Sequence, residues 1–379
     1  MRNGHDIYLV PGFFGFANLG KLTYFGHLRA VLAERCAAEG LEARIHVVKT
    51  SPTASLVKRS VRVLEMIAAT SRSSNGAIHL IGHSSGGLDA RLVAAPSVVL
   101  PSRLDVEGIA QRIRTIVTVS TPHYGTPLAS FLASRLGTQL LHTLSLSTIY
   151  LLRFGHLPLR VLLPLGTVFA RLDALTTQSL LLDQIFTLLL SRFSVGRRRA
   201  VQALFREVAN DQALLVQLTP EAMDTFNATT GNRPSVRYGS VITRAPRPGL
   251  SSALAAGLDP SGQATHAVYT ALYRIGSRMV RQELPPLSRD HARTLRQAYG
   301  TVPTIHENDG IVPTCSQVFA EIVHATQADH LDAIGHFHDS SHQPPHVDWL
   351  STGSGFTRKA FEHLWTDVAR FIARDETGP

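Results

Sequence analysis

Residues 82–86 read Gly-His-Ser-Ser-Gly, a G-x-S-x-G pattern that could move an acyl group. An apolar run at 77–81 precedes it and a helix-compatible stretch follows. A serine nucleophile works from such a place, on a sharp strand-to-helix turn where the hydroxyl projects towards substrate. The start of the helix then supplies backbone N–H groups and the positive end of its dipole. Glycines at 82 and 86 remove the Cβ atoms that would crowd the turn. By itself the pattern is equally a glycine-rich turn. The flanking strand and helix favour Ser84 as the nucleophile over Ser85, which lacks the glycine spacing.

A serine hydroxyl needs a base to take its proton, and the base needs an orienting carboxylate. With the nucleophile on a strand-to-helix turn, the chain order is Ser, then acid, then His, which confines the search to residues after Ser84. A strand is expected at 302–306, followed by Glu307-Asn308-Asp309-Gly310. Asp309 is the expected acid and Glu307 its competitor; the plain alternative is an Asp-Gly turn made for backbone reasons. His324, His330, His336, His338, His342 and His346 crowd the region beyond. His330, in Asp-His-Leu-Asp 21 residues after Asp309, leaves room for a helix and a return loop and is the expected base. His336, His338, Asp339 and His342 form a possible transition-metal set, against the commoner reading of loop histidines. Acyl transfer also builds negative charge on the carbonyl oxygen, and losing one positioned N–H donor costs roughly 2.7–4 kcal/mol. The expected donors are the backbone N–H groups of Ser85 and of Phe13, in the Pro-Gly turn after the first apolar run. Phe13, Phe14 and Phe16 would give an acyl pocket apolar walls.

These residues need a scaffold. Short apolar runs at 7–10, 44–48, 77–81 and 113–119 alternate with helical patterns at 24–38 and 54–69. The pattern resumes at 236–242 and 302–306 and runs into a helix at 357–373. Such alternation predicts an α/β fold, a mostly parallel central sheet flanked by helices. The stretch 128–204 differs: it is dense in leucine, as in LLLDQIFTLLL at 180–190, with no short strands. Charged and histidine residues break its runs below the ~18 apolar residues of a membrane span. It is expected to form a helical cap or lid, with residues 1–127 and 205–379 as the catalytic core. The cap is the expected point of contact with a lipid–water interface, beside Arg197-Arg198-Arg199.

Composition narrows the field. With 379 residues and 44% hydrophobic content, the chain can bury a core without staples, and two cysteines exclude a disulfide framework. The formal charge is +9, yet only four of the 37 basic residues are lysines and the arginines are scattered. A phosphate-binding face needs clustered charge, so no nucleic-acid partner is expected. Asp6 and the Pro11-Gly12 turn interrupt the layout of a secretory leader. The expected location is therefore cytoplasmic, with peripheral membrane association through the cap.

Four motifs together resemble one family. VPGFFGF (10–16), GHSSGG (82–87), VSTPHYGTPLA (119–129) and NDGIVP (308–313) followed by DHLD (329–332) look like the bacterial triacylglycerol lipases of the α/β-hydrolase superfamily. LTPEAMDTFN (218–227) and VRYGS (236–240) are also similar. The resemblance covers roughly residues 5–130 and 205–340, with Pro11 where many members carry a histidine. It implies an α/β-hydrolase fold and a lipase or carboxylesterase using Ser84, Asp309 and His330, with Phe13 and Ser85 at the oxyanion. Alternatives on the same triad are a polyester depolymerase or an acyltransferase; a non-catalytic lipid-binding protein is the third reading. No cofactor is required for the chemistry. Many such lipases carry a structural calcium near the catalytic histidine. Here Asp332 would be one ligand and Asp259 the other candidate.

Overall fold

The computed structural model describes residues 4–13, 24–71, 76–134, 211–257, 260–280, 284–342, 346, 348 and 350–374. It also describes 179–191 and scattered positions between 139 and 206. The Leu-rich stretch expected as a lid thus lies mostly outside the described residues, as do Asp259, Phe14 and Phe16.

Six strands form one parallel sheet in the order β2-β1-β3-β4-β5-β6. They are β1 (His5–Val10), β2 (Ala43–Val47), β3 (Ile78–His83), β4 (Ile113–Val119), β5 (Arg237–Arg244) and β6 (Glu321–Gln327). β1 and β3 are buried along their whole length, as strands covered on both faces must be. Crossover helices α1 (Gly26–Ala38), α2 (Leu56–Thr70) and α3 (Ser85–Ala94) join the first four strands. α2 packs on α3, while α1 packs on the helix Arg358–Ala373. That last helix fills its core-facing side with Phe361, Leu364, Trp365, Val368 and Phe371, and the Trp365 indole donates to the Ala333 carbonyl at 3.0 Å.

The sequence pattern locates five of the six strands to within a residue or two. The sixth is a correction. Residues 301–306 form no strand, and the outer strand is β6, at 321–327. β6 is only half-buried, with Glu, His, Thr and Gln among its residues, so it lacks the continuous apolar run of its neighbours. No helix among the described residues is long and apolar enough to cross a membrane.

The strand order reverses between β1 and β3. The chain leaves β1 for β2 on one side, then returns to β3 on the other. In such sheets the loops beyond the carboxyl ends of the two strands open a crevice. Val10 pairs with Gly82 in register, so the turn after β1 and the G-x-S-x-G turn after β3 lie side by side at that crevice.

Candidate active site

Ser84 stands at the junction of β3 and α3 with φ 55° and ψ −132°, a conformation that costs a non-glycine residue of order 1–3 kcal/mol. Close packing sustains it. A Cβ on Gly82 would collide with the Gly86–Gly87 backbone, and one on Gly86 with the Val10 carbonyl. A Ser84 N–H bond to the Val119 carbonyl at 2.8 Å ties the turn to β4. Ser84 occupies the N-cap position of α3, yet its hydroxyl makes no capping bond. A serine in ordinary N-cap geometry would spend that oxygen on the helix's own N–H groups. Ser85 is fully buried and its hydroxyl has no partner among the described residues.

The turn after β1 covers this junction. A Cβ on Gly12 would run into the Ser84 side chain. Phe13, next in the chain, is buried beside it. Arg59 of α2 anchors the turn from below, donating to the Pro11 carbonyl at 2.7 Å and to the Ser51 carbonyl at 2.8 Å. The same guanidinium pairs with Asp89 of α3, with both residues fully buried. Burial pushes the Asp89 carboxyl up to about 6 and the Arg59 charge opposes it; the short pair is best described as ionised.

Asp309 and His330 meet as expected from the sequence. His330 Nδ1 lies 2.8 Å from Asp309 Oδ2, and both side chains are buried. The carboxylate can only accept, so Nδ1 carries the proton and Nε2 keeps its lone pair. Nε2 is buried and makes no hydrogen bond among the described residues. Asp309 is held from all sides: Oδ1 accepts from the Ile311 and Val312 N–H groups, and Oδ2 from Thr243 Oγ1 and Gln317 Nε2. Glu307, the competing acid, is turned away to Arg244 and to the N–H of Thr304. The acid loop is braced by the 119–129 motif, where Thr126 Oγ1 donates to the Ile311 carbonyl at 2.6 Å and Ser316 Oγ to the Gly125 carbonyl at 2.7 Å.

His83 links the Ser84 turn to the His330 loop. Its Nε2 is 2.8 Å from the His330 carbonyl oxygen, so Nε2 carries the proton. Nδ1 then accepts from the Tyr24 hydroxyl at 2.6 Å, and the Tyr24 oxygen accepts from the Gly12 N–H at 3.3 Å. Burial, then the neighbouring His330, holds His83 well below the usual histidine range. A neutral ring 4.7 Å from the His330 ring adds no repulsion when His330 takes a proton.

Sequence reasoning missed Thr243, Gln317, Tyr24 and Arg59. Thr243, Tyr24 and Arg59 act through contacts across dozens of residues, Gln317 through one across eight, and none belongs to a short pattern. Only His83, inside the glycine motif, was visible.

Asp332 is buried two residues beyond His330 and groups with Asp329 and Asp348, one carboxylate oxygen from each lying within 4.8 Å of the others. Burial pushes the Asp332 carboxyl up to about 6, and burial with the neighbouring acids pushes Asp329 well up. Asp332 Oδ2 accepts from Ser354 and the Asp329 N–H; Asp329 Oδ1 accepts from the Leu331 and Asp332 N–H groups. Two buried carboxylates held on one turn, with the half-buried Asp348 beside them, fit a hard cation such as calcium, which takes ~6–8 oxygens. His336, weighed as part of a histidine metal set against the commoner reading of a loop histidine, donates Nε2–H to the Tyr24 carbonyl at 3.0 Å.

Parts of the chain are similar to known proteins. A family described as "PGAP1-like alpha/beta domain" matches residues 45–137, the span that holds the nucleophile turn. A curated triacylglycerol lipase of Pseudomonas fragi is 32% identical over 139 residues, 35% of this chain and 41% of that protein. The chain thus matches about two fifths of that relative's length. Among solved structures, EstA from Clostridium botulinum aligns with a TM-score of 0.54 at 16% identity, covering 98% of this chain and 87% of that one. Lipase 1 from Pelosinus fermentans aligns at 0.53 and 17% identity, over 98% and 99% of the two chains. The parallel sheet, the strained serine after its third strand and these likenesses agree on the fold: the chain has an α/β-hydrolase fold, shared with EstA and lipase 1.

Proposed function

We propose that the protein hydrolyses carboxylic acyl esters, as a lipase or carboxylesterase, by way of an acyl-enzyme on Ser84. One observation carries the reading: a buried His330–Asp309 pair at 2.8 Å, its outer imidazole nitrogen unpaired, reached through His83 from a strained serine. Ser84 Oγ attacks the ester carbonyl while His330 Nε2 takes its proton. Asp309 keeps the Nδ1–H tautomer and stabilises the imidazolium that forms. The N–H groups of Phe13 and Ser85 receive the oxyanion, at the start of α3 where the dipole favours negative charge. His330 returns the proton to the leaving alcohol, and water repeats the route to free the acid. The Leu-rich stretch 128–204 is assigned the contact with a lipid–water interface.

The test uses p-nitrophenyl butyrate and palmitate with the wild type and Ser84→Ala. Cleavage of either ester, lost in Ser84→Ala by about 10⁴-fold or more in kcat, supports the reading. Intact turnover in Ser84→Ala, or failure of a fluorophosphonate to label Ser84, overturns it. An added alcohol acceptor tells hydrolysis from acyl transfer by product.

We also propose that Asp329, Asp332 and Asp348 hold a structural calcium that steadies the turn bearing His330. Calcium added to a chelator-stripped preparation is expected to raise Tm in the wild type and not in Asp332→Asn. A wild-type Tm indifferent to calcium would remove the assignment.

A further inference from the structure

A second group of side chains lies behind the catalytic base. His27, the second residue of α1, meets His342 and His346 from the loop that follows the base. One ring nitrogen from each lies within 4.8 Å of the other two. The His27 and His346 rings stack at 3.6 Å, and His342 stands steeply tilted to both at 5.3 and 5.1 Å.

His346 is oriented from behind. Its Nδ1 lies 2.7 Å from the Gly335 carbonyl oxygen, so Nδ1 carries the proton and the lone pair is on Nε2. A ring N–H given to a backbone carbonyl is the outer contact that metal-binding histidines usually make. Phe337 stacks on the same ring at 4.3 Å. Gly335 has φ 105° and lies against His27, where a Cβ would crowd the His27 Cβ. Asp339 pairs with His346 by backbone bonds, and its carboxylate is taken by the Ser341 N–H and hydroxyl.

We infer that His27, His342 and His346 form a site for a borderline divalent transition-metal ion, zinc being the best match. The donor set is three imidazoles with no carboxylate, which suits zinc and disfavours calcium or magnesium. Zinc bonds to nitrogen at ~2.0–2.1 Å in a tetrahedron, so the three nitrogens draw together by about 1 Å, with water completing the set. His27 and His342 are only partly buried. The ion would join α1 to the base loop. Gly335 is five residues beyond His330, and the turn ahead of α1 carries Tyr24, which holds Gly12 and His83. This site is separate from the acidic cluster and does not depend on the hydrolase reading.

The experiment is titration of zinc into the full-length, chelator-stripped chain against a chromogenic chelator, with cobalt as the spectroscopic substitute. One equivalent bound, tetrahedral cobalt absorption, and a Tm raised by several degrees are expected, with calcium in large excess unable to compete. His27→Gln and His342→Gln should each weaken zinc at least about 100-fold while keeping the metal-free Tm. His363→Gln, from the cluster of His324, His363 and Asp367, should leave it unchanged. No stoichiometric binding, or binding lost in His363→Gln and kept in both His27→Gln and His342→Gln, would overturn the assignment.

Discussion

A methyl group on Gly12 would meet the Ser84 side chain, so Gly12→Ala measures how tightly the turn covers the nucleophile. Relief of that clash requires the turn to lift, and Phe13 moves with it. The expected result is a fall in kcat of about 10²-fold or more, the cost of one misplaced oxyanion donor on the proposed reading, together with a lowered Tm from the buried clash. Asp309→Asn keeps the shape but offers Nδ1 an amide in place of a carboxylate. It should lower kcat by about 10⁴-fold at neutral pH, whereas Glu307→Gln should leave kcat nearly intact. Equal losses in the two variants would return the choice of acid to Glu307. Thr243→Val removes one of five bonds to the Asp309 carboxylate and leaves the other four in place. Its effect should be far smaller than that of Asp309→Asn.

Between elements, the buried Arg59–Asp89 pair fastens α2, α3 and the turn after β1 at one point. Removing one partner strands the other charge in the core. Asp89→Asn should therefore cost about 3–5 kcal/mol in urea denaturation, and Arg59→Met/Asp89→Leu clearly less. If the double variant is as unstable as the single, the pair contributes stability of its own. Contacts of this kind explain what the sequence could and could not reveal. The G-x-S-x-G turn and the first five strands were legible because apolar runs and glycine spacing are local, and Asp309 with His330 because the order serine, acid, histidine narrows the search. β6 was not, because an edge strand needs no apolar run on its outer side. The expected strand at 302–306 is a stretch that ends in the acid loop, where the backbone bonds to side chains and turns rather than to a neighbour. The histidines were the hardest to sort. His330, His336 and His346 differ only in what faces them: a carboxylate, the Tyr24 carbonyl and the Gly335 carbonyl.

Across the whole molecule, buried histidines make the fold sensitive to acid. Burial holds His336 down at about 4, against an ordinary 6.5. The unfolded chain binds that proton near 6.5 and the folded chain does not, so this contribution is complete above pH 6.5 and is lost as pH falls towards 4. His336→Gln isolates it, since the amide can still donate to the Tyr24 carbonyl. The stability of the wild type relative to the variant should fall by up to about 1.4 kcal/mol per pH unit across that window. A difference that stays flat from pH 7 to 4 would contradict the burial argument. The order of strands has a consequence for synthesis. After β2, the sheet adds β3, β4, β5 and β6 at one edge in the order the ribosome delivers them. Ser84 is therefore seated early, while His330 arrives only with the last edge strand and the loop beyond it. Ribosome-arrested chains ending soon after β5 should protect the amides of β1, β3 and β4 from exchange yet cleave no ester, since the proposed chemistry waits on the last edge strand and the loop beyond it.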